Sequence, residues 1–379
     1  MPINLLVNAT ALNSRGGLTV VKQFITEVED YLRKTDEFAL TIMVSVKDFM
    51  HHNHRNLNII YNDSPKKGFV QKYLFEKKEI PKIIKNHNIN CYFSLANTFL
   101  FKSDLPQYVL IHNPLPFDRL KWSEVDIPSY LKYKVMLNLI YKTRLSKKVN
   151  GIIVQTQWMK NAIVSKYDYK GHVQVIRPSV SSNSATERLV PLNLHLNDDD
   201  NGYLKFIYPT SVDKYKNTRR LIQAVERYNQ VSAQKVILFL TLEGQSTELV
   251  KYIGKIPYES MYWVYRQMDA LIFPSLTETL GLPLQEALDN DLHVLAADLP
   301  YAREVCGLHA DYFNPRSVED IAYGIGKYVR KKNKIKRPSR KYGDMNHSYI
   351  DFLDFIKECE LGKGEGSPHR RSVASQGTF

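Results

Sequence analysis

Short apolar runs rich in β-branched and aromatic residues punctuate the first half of the chain at 3–9, 38–46, 57–61, 90–95, 108–112, 151–155 and 173–176. Several are continuous rather than alternating, which a strand with one wet face would not be. Between them lie helix-like stretches at 18–34, 70–85, 128–146 and 158–166. Strand and helix taking turns in this way predict a parallel sheet covered on both faces, a doubly wound α/β unit. From 181 to 202 the chain turns to Ser, Asn and Asp, the composition of a linker or surface loop. The alternation then restarts, with strands at 204–208, 235–242, 270–273 and 293–297 and helices near 218–230, 260–268, 283–289, 301–306 and 318–329. The organisation expected is an N-terminal domain over 1–182, a second doubly wound domain over 183–345, a helix at 346–361 that returns to the first domain, and a flexible tail at 362–379.

Composition narrows the picture. The 379 residues are 44% apolar and 11% aromatic, enough to offset the entropy of ordering the backbone, so wholesale disorder is excluded. No run approaches the ~18 apolar residues that span a bilayer. Three widely spaced cysteines, Cys91, Cys306 and Cys359, offer neither a disulfide framework nor a paired metal site. With no export signal ahead of the first strand, a cytoplasmic protein is expected.

The formal charge is +13, and it is unevenly placed: residues 1–180 hold 26 Lys+Arg against 14 Asp+Glu, whereas 181–379 hold 26 against 25. The excess concentrates at Lys66, Lys67, Lys72, Lys77, Lys78, Lys82 and Lys85, and again from Arg119 to Lys148, with Phe69, Tyr73, Phe75, Trp122, Tyr130 and Tyr133 interleaved. Such a face attracts a polyanion, and long-range attraction alone does not separate nucleic acid from an anionic membrane. No nucleic-acid-reading motif accompanies it, so nucleic acid is not expected as a partner. Asp198, Asp199 and Asp200 sit in a loop-like segment and read as solvated acids. His51, His52 and His54 lack a companion acid at ligand spacing and read as surface residues. No metal site is expected.

The most informative segment runs from Phe273 to Leu288. It leaves a buried strand, turns through Gly281 and enters a helix with Pro283 near its first position, where a missing N–H costs nothing. The free N–H groups of Leu280, Gly281 and Leu282 then lie at a helix N-terminus on the carboxyl edge of a parallel sheet, a place suited to phosphate. Glu278 and Glu286 flank that anion site, eight residues apart. Amides for a pyrophosphate and carboxylates for hydroxyls together suit a nucleotide diphospho-sugar.

This segment, Glu278-Thr279-Leu280-Gly281 through Glu286, resembles the E-x7-E signature of the retaining family-4 glycosyltransferases (glycosyltransferases group 1), which have the GT-B fold: two Rossmann-like domains facing a cleft. Tyr208-Pro209-Thr210-Ser211 with Lys216-Asn217 resembles that family's first donor-domain strand and diphosphate-binding lysine turn. Asn13-Ser14-Arg15-Gly16-Gly17 is similar to its Gly-rich loop, and His112-Asn113 to its active-site histidine. Arg303–Gly307 and Ala310–Pro315 resemble its later helix and edge-strand segments. The family's usual arginine before the lysine is replaced near Ser211, leaving Lys214 or Arg219 to substitute.

The resemblance implies an acceptor-side N-terminal domain and a donor-binding C-terminal domain. It implies a hexosyltransferase with His112, Lys216 and Glu278 as catalytic residues. Donor-binding residues would be Gly16, Gly17, Ser211, Thr279, Leu280, Gly281, Leu282 and Glu286. The nucleotide sugar is a co-substrate, and neither cofactor nor metal is expected because lysine and helix dipole neutralise the diphosphate. The acceptor would be a glycan or lipid-linked oligosaccharide of bacterial O-antigen, lipopolysaccharide or capsule assembly, met at the inner face of the plasma membrane through the basic domain. Alternatives are a sugar-nucleotide epimerase of the same fold, or a basic nucleic-acid-binding scaffold with an inactive donor site.

Overall fold

The computed structural model describes residues 2–13, 16–52, 54–67, 69–178, 202–332 and 347–362. The expected linker around Asp198–Asp200, most of the basic connector after Arg330, Ser14 and Arg15 of the Gly-rich segment, and the 363–379 tail lie outside these residues.

Seven parallel strands build the first sheet: β1 Ile3–Asn8, β2 Phe38–Val44, β3 Leu57–Tyr61, β4 Cys91–Ser94, β5 Gln107–Ile111, β6 Gly151–Val154 and β7 His172–Val175. They lie in the order β3-β2-β1-β4-β5-β6-β7. Six more build the second: β8 Leu204–Tyr208, β9 Val236–Leu240, β10 Val250–Tyr252, β11 Ala270–Phe273, β12 His293–Ala297 and β13 Ala310–Phe313, in the order β10-β9-β8-β11-β12-β13. Each order reverses direction once, between β1 and β4 and between β8 and β11. Crevices for ligands open at the carboxyl ends of the strands beside such reversals.

The helices are α1 Gly16–Leu32, α2 Phe69–Leu74, α3 Ile80–Asn86, α4 Ile127–Ser129, α5 Asn138–Lys148, α6 Gln157–Tyr167, α7 Thr218–Val231, α8 Tyr258–Arg266, α9 Leu282–Asp289, α10 Pro300–Cys306, α11 Val318–Lys331 and α12 Ile350–Leu361. Strands with continuous apolar runs are buried on both faces, as at Val236–Leu240. Two departures from expectation are local. The stretches 70–85 and 128–146 are not uninterrupted α-helices, because wider i→i+5 turns occupy Phe75–Glu79 and Tyr130–Leu137. Gly16 and Gly17 are the first residues of α1 rather than part of a preceding loop.

After the second sheet the chain returns to the first. α12 lays Phe352 edge-on to Phe93 and Phe355 edge-on to Tyr108. A Cβ at Gly151 would meet the Tyr108 and Phe355 rings at 2.8–2.9 Å, so glycine in β6 is what lets α12 approach. Pro178, at the end of the first domain's described residues, bridges to His347, where the chain is next described after the second sheet.

The expected lysine-aromatic face is not continuous. Phe75 is buried, Tyr130 and Tyr133 pack toward Leu276 of the other domain, and only Tyr73 and Trp122 of the named aromatics stand exposed among those described. His52 is not a plain surface residue: its Nδ1 lies 2.6 Å from Glu29 of α1.

Candidate active site

The C-terminal domain presents its site from the two loops beside the β8/β11 reversal. After β8 the chain makes a 3-10 turn, Lys214–Lys216, that ends at Asn217 in the left-handed conformation (φ 64°). Asn tolerates this better than most residues, and here its side chain also fastens the turn: Nδ2 donates to the carbonyls of Pro274 (3.2 Å) and Pro315 (2.6 Å). Buried Tyr208 donates to the Lys216 carbonyl at 2.7 Å. A turn held this firmly aims Lys216 Nζ at Glu278 Oε1, 2.6 Å away, with both side chains largely buried.

Beyond Glu278 the chain reaches Gly281 at φ 77°, where a side chain would be strained and would crowd Leu284. α9 starts there with Leu282 and Pro283, leaving its first amides directed away from the helix. Leu280 is buried and Leu282 exposed, so neither side chain offers a polar group here and only their backbone does. Glu286 lies one turn further on. Its carboxylate accepts from Tyr265 of α8 at 2.6 Å, and burial raises its pKa although that hydrogen bond opposes the shift. It is neither exposed nor aimed at open solvent.

The N-terminal domain answers from its own β1/β4 reversal. Gly17 begins α1 with no room to spare, since a Cβ would stand 3.3 Å from the Leu12 backbone. His112 follows β5, and its Nε2 lies 3.0 Å from Asn97 Nδ2 on the loop after β4. Asn97 Oδ1 accepts from the backbone N–H groups of His112 (2.8 Å) and Asn113 (2.9 Å), which fixes the amide orientation. Asn97 Nδ2 therefore donates, Nε2 accepts, and His112 is a neutral ring protonated on Nδ1. Burial drives its pKa down to about 4, in keeping with that state.

The two halves meet. Thr279 Oγ1 donates to the His112 carbonyl at 2.6 Å, while the Thr279 carbonyl accepts from Thr156 Oγ1 (3.1 Å) and Trp158 Nε1 (2.9 Å). Thr279 thus serves as a bridge between domains. Ser211 donates to Asp213 within the β8 loop, and Lys214 and Arg219 are both exposed. Arg316 and Arg220, which the sequence did not single out, are engaged by Glu124: Arg316 is bidentate at 2.9 Å and Arg220 lies at 3.7 Å. Asn97, Thr156, Trp158, Glu124 and Glu304 were also missed, because each acts on a partner far away in sequence. The only available signal was the left-handed bias of Asn after a strand. Among the described residues no group of three His, Cys, Asp or Glu is placed to hold a metal.

Two doubly wound domains that meet through loops at their reversals, with Thr279 bonded to the His112 carbonyl, make a GT-B architecture. WaaG, a glycosyltransferase involved in lipopolysaccharide biosynthesis, superposes over 93% of this chain and 99% of its own with a TM-score of 0.60 at 13% identity. The family profile described as glycosyl transferases group 1 matches residues 197–343, a span that takes in the second sheet and the helices around it. Over 78 residues the chain is 35% identical to the serotype-specific mannosyltransferase WbdA of Escherichia coli, 21% of this chain and 10% of that protein. Over 213 residues it is 22% identical to the O-antigen chain mannosyltransferase RfbU of Salmonella typhimurium strain LT2, 55% of this chain and 57% of that one. The chain thus spans little more than half the length of one relative and a tenth of the other.

Proposed function

We propose that the protein transfers a hexosyl residue from a nucleotide diphospho-sugar to a hydroxyl of a glycan or lipid-linked oligosaccharide, with retention at the anomeric carbon, in bacterial surface polysaccharide synthesis. The observation that carries this reading is the Lys216–Glu278 pair beside the α9 N-terminus, next to Thr279, whose hydroxyl is bonded to the His112 carbonyl. The names of WbdA and RfbU support a sugar of the hexose class and make mannosyl the first candidate.

As the leaving diphosphate separates, negative charge grows on it, and preorganised donors lower the barrier most. Lys216 has three N–H donors, so it can keep Glu278 while taking up phosphate oxygens; the amides around Gly281 complete the anion site. Glu278 is then placed for donor-sugar hydroxyls and Glu286 for the ribose. His112 offers Nδ1–H to the sugar. The N-terminus of α1, at Gly16 and Gly17, approaches the diphosphate from the other domain. A same-face substitution, with the departing phosphate taking the acceptor proton, is the mechanism proposed, and it requires no metal. The lipid-linked acceptor places the basic domain against the inner face of an anionic membrane. Among the described residues no helix is long and apolar enough to cross that membrane.

A thermal-shift and saturation-transfer NMR screen against UDP-, GDP-, dTDP-, ADP- and CMP-sugars tests the reading. One nucleotide class should bind, Glu286→Ala should weaken it, and transfer to acceptor should survive EDTA. Absence of binding by the intact protein overturns the reading, and conversion of donor without any acceptor would favour the epimerase.

A further inference from the structure

The N-terminal domain carries an apolar stripe that the fold leaves uncovered. Of the 17 large apolar side chains exposed among the described residues, six fall between 122 and 139: Trp122, Ile127, Leu131, Val135, Met136 and Leu139. Trp122 is 75% and Ile127 69% exposed. Positions 127, 131, 135 and 139 are four apart. Residues four apart in an α-helix drift about 40° around the axis per step. The i→i+5 turns of Tyr130–Leu137 take more than four residues, so a step of four falls short instead and the drift is offset. The stripe therefore runs nearly straight, and the opposite side, Leu137, Tyr141 and Leu145, is buried in the core.

The fully exposed charges around it are positive. Arg119, Lys121, Lys132, Lys142, Arg144 and Lys147 are exposed. The two acids of the same stretch are turned to other work: Glu124 is buried against Arg316, and Asp126 accepts the Ser129 amide. Lys134, on the same segment, donates to the Asp118 carbonyl at 3.0 Å, tying the stripe to the loop that follows His112.

We propose that this face inserts into an anionic lipid surface, with the six apolar side chains entering the interface and the cations meeting headgroup phosphates. A row of apolar residues crowned by cations of one sign is the pattern of an interfacial helix. A second copy fits poorly, because a two-fold contact would set these cations against one another. The proposal rests on the membrane contact of the functional reading and makes it specific: insertion by 122–139, rather than charge alone, holds the protein there.

The test is flotation of the full chain with phosphatidylcholine vesicles, with and without phosphatidylglycerol, in the absence of any sugar donor. The wild type should float only with the anionic vesicles, and its emission should shift to the blue, a shift that Trp122→Phe removes. Leu131→Ser with Leu139→Ser should weaken partition roughly tenfold per site with charge unchanged. Lys132→Gln with Lys142→Gln should weaken it roughly fivefold per site. All four positions are exposed, so an unchanged melting temperature and unchanged nucleotide-sugar binding separate lost docking from lost folding and from failure of the transferase reading. Undiminished flotation of the serine variant, or no flotation of the wild type, overturns the proposal. A wild-type dimer dissolved by the serine variant, without vesicle binding, assigns the stripe to self-association instead.

Discussion

Asn97 sets the chemical state of His112, and it does so through the two functions of one amide. Its oxygen is committed to two backbone N–H groups, so its nitrogen must face the ring. It holds a left-handed conformation (φ 60°), and the buried Tyr141 fastens its carbonyl at 2.6 Å. Aspartate tolerates that conformation and keeps the oxygen's role, so Asn97→Asp should fold. Its second oxygen would then face Nε2 and demand a proton there, favouring the charged ring and raising the pKa from about 4. The sign follows. In the wild type His112 stays neutral as pH falls from 7 to 5, so kcat/KM should show no acid limb from this ring. In Asn97→Asp it charges within that range, and kcat/KM should fall as pH drops. Coinciding pH profiles of wild type and variant would remove Asn97 from this role. The histidine was singled out by resemblance; its partner, fifteen residues earlier, was not, because nothing in the sequence says which loops the sheet order brings together.

At the scale of elements, the strands were the readable part, since a strand buried on both faces must be apolar throughout. β8, β11 and β12 fall at the positions expected, and so does the edge strand β3 despite its exposed Asn58. β10, three residues with a lysine at its centre, has no such run and went unread. The i→i+5 turns were invisible because apolar spacing does not tell a widened turn from an ordinary one. The connections after β8 and β11 were legible for a different reason: a left-handed Asn217 and a left-handed Gly281 restrict residue choice sharply, so their motifs are recognisable. What those motifs did not disclose is that Lys216 and Glu278 are already paired. The pairing gives Lys216→Ala a defined outcome. The turn is held by Asn217 and Tyr208 rather than by the ammonium, so the fold should persist, but the departing diphosphate loses a preorganised donor. Turnover should fall by about 100- to 1000-fold with little change in melting temperature. A variant retaining wild-type kcat would show that the lysine serves only to hold Glu278.

Over the whole molecule, the charge asymmetry was plain in the sequence, whereas the contacts that hold one domain to the other were not. The clearest of these is Glu304 on α10. Thr156, which precedes α6, spends its hydroxyl on the Thr279 carbonyl and so does not cap its own helix. Glu304 reaches across instead: it accepts the N–H groups of Gln157 (2.7 Å) and Trp158 (2.9 Å), and Arg177 pairs with it at 2.8 Å. A carboxylate at a helix N-terminus is favoured by both hydrogen bonding and the helix dipole. Here the helix and the carboxylate belong to different domains, so the cap doubles as a clasp beside the bridge between Pro178 and His347. Glu304→Ala should cost about 2 kcal/mol and, by loosening the clasp, increase the radius of gyration measured by small-angle X-ray scattering. Arg303→Ala is the control: it sits on the same helix but pairs with Asp298 and covers Tyr312, both within the C-terminal domain. It should soften that domain without moving it. Equal scattering profiles for wild type and Glu304→Ala would mean that the Thr279 bridge and the Glu124–Arg316 pair suffice to hold the domains together.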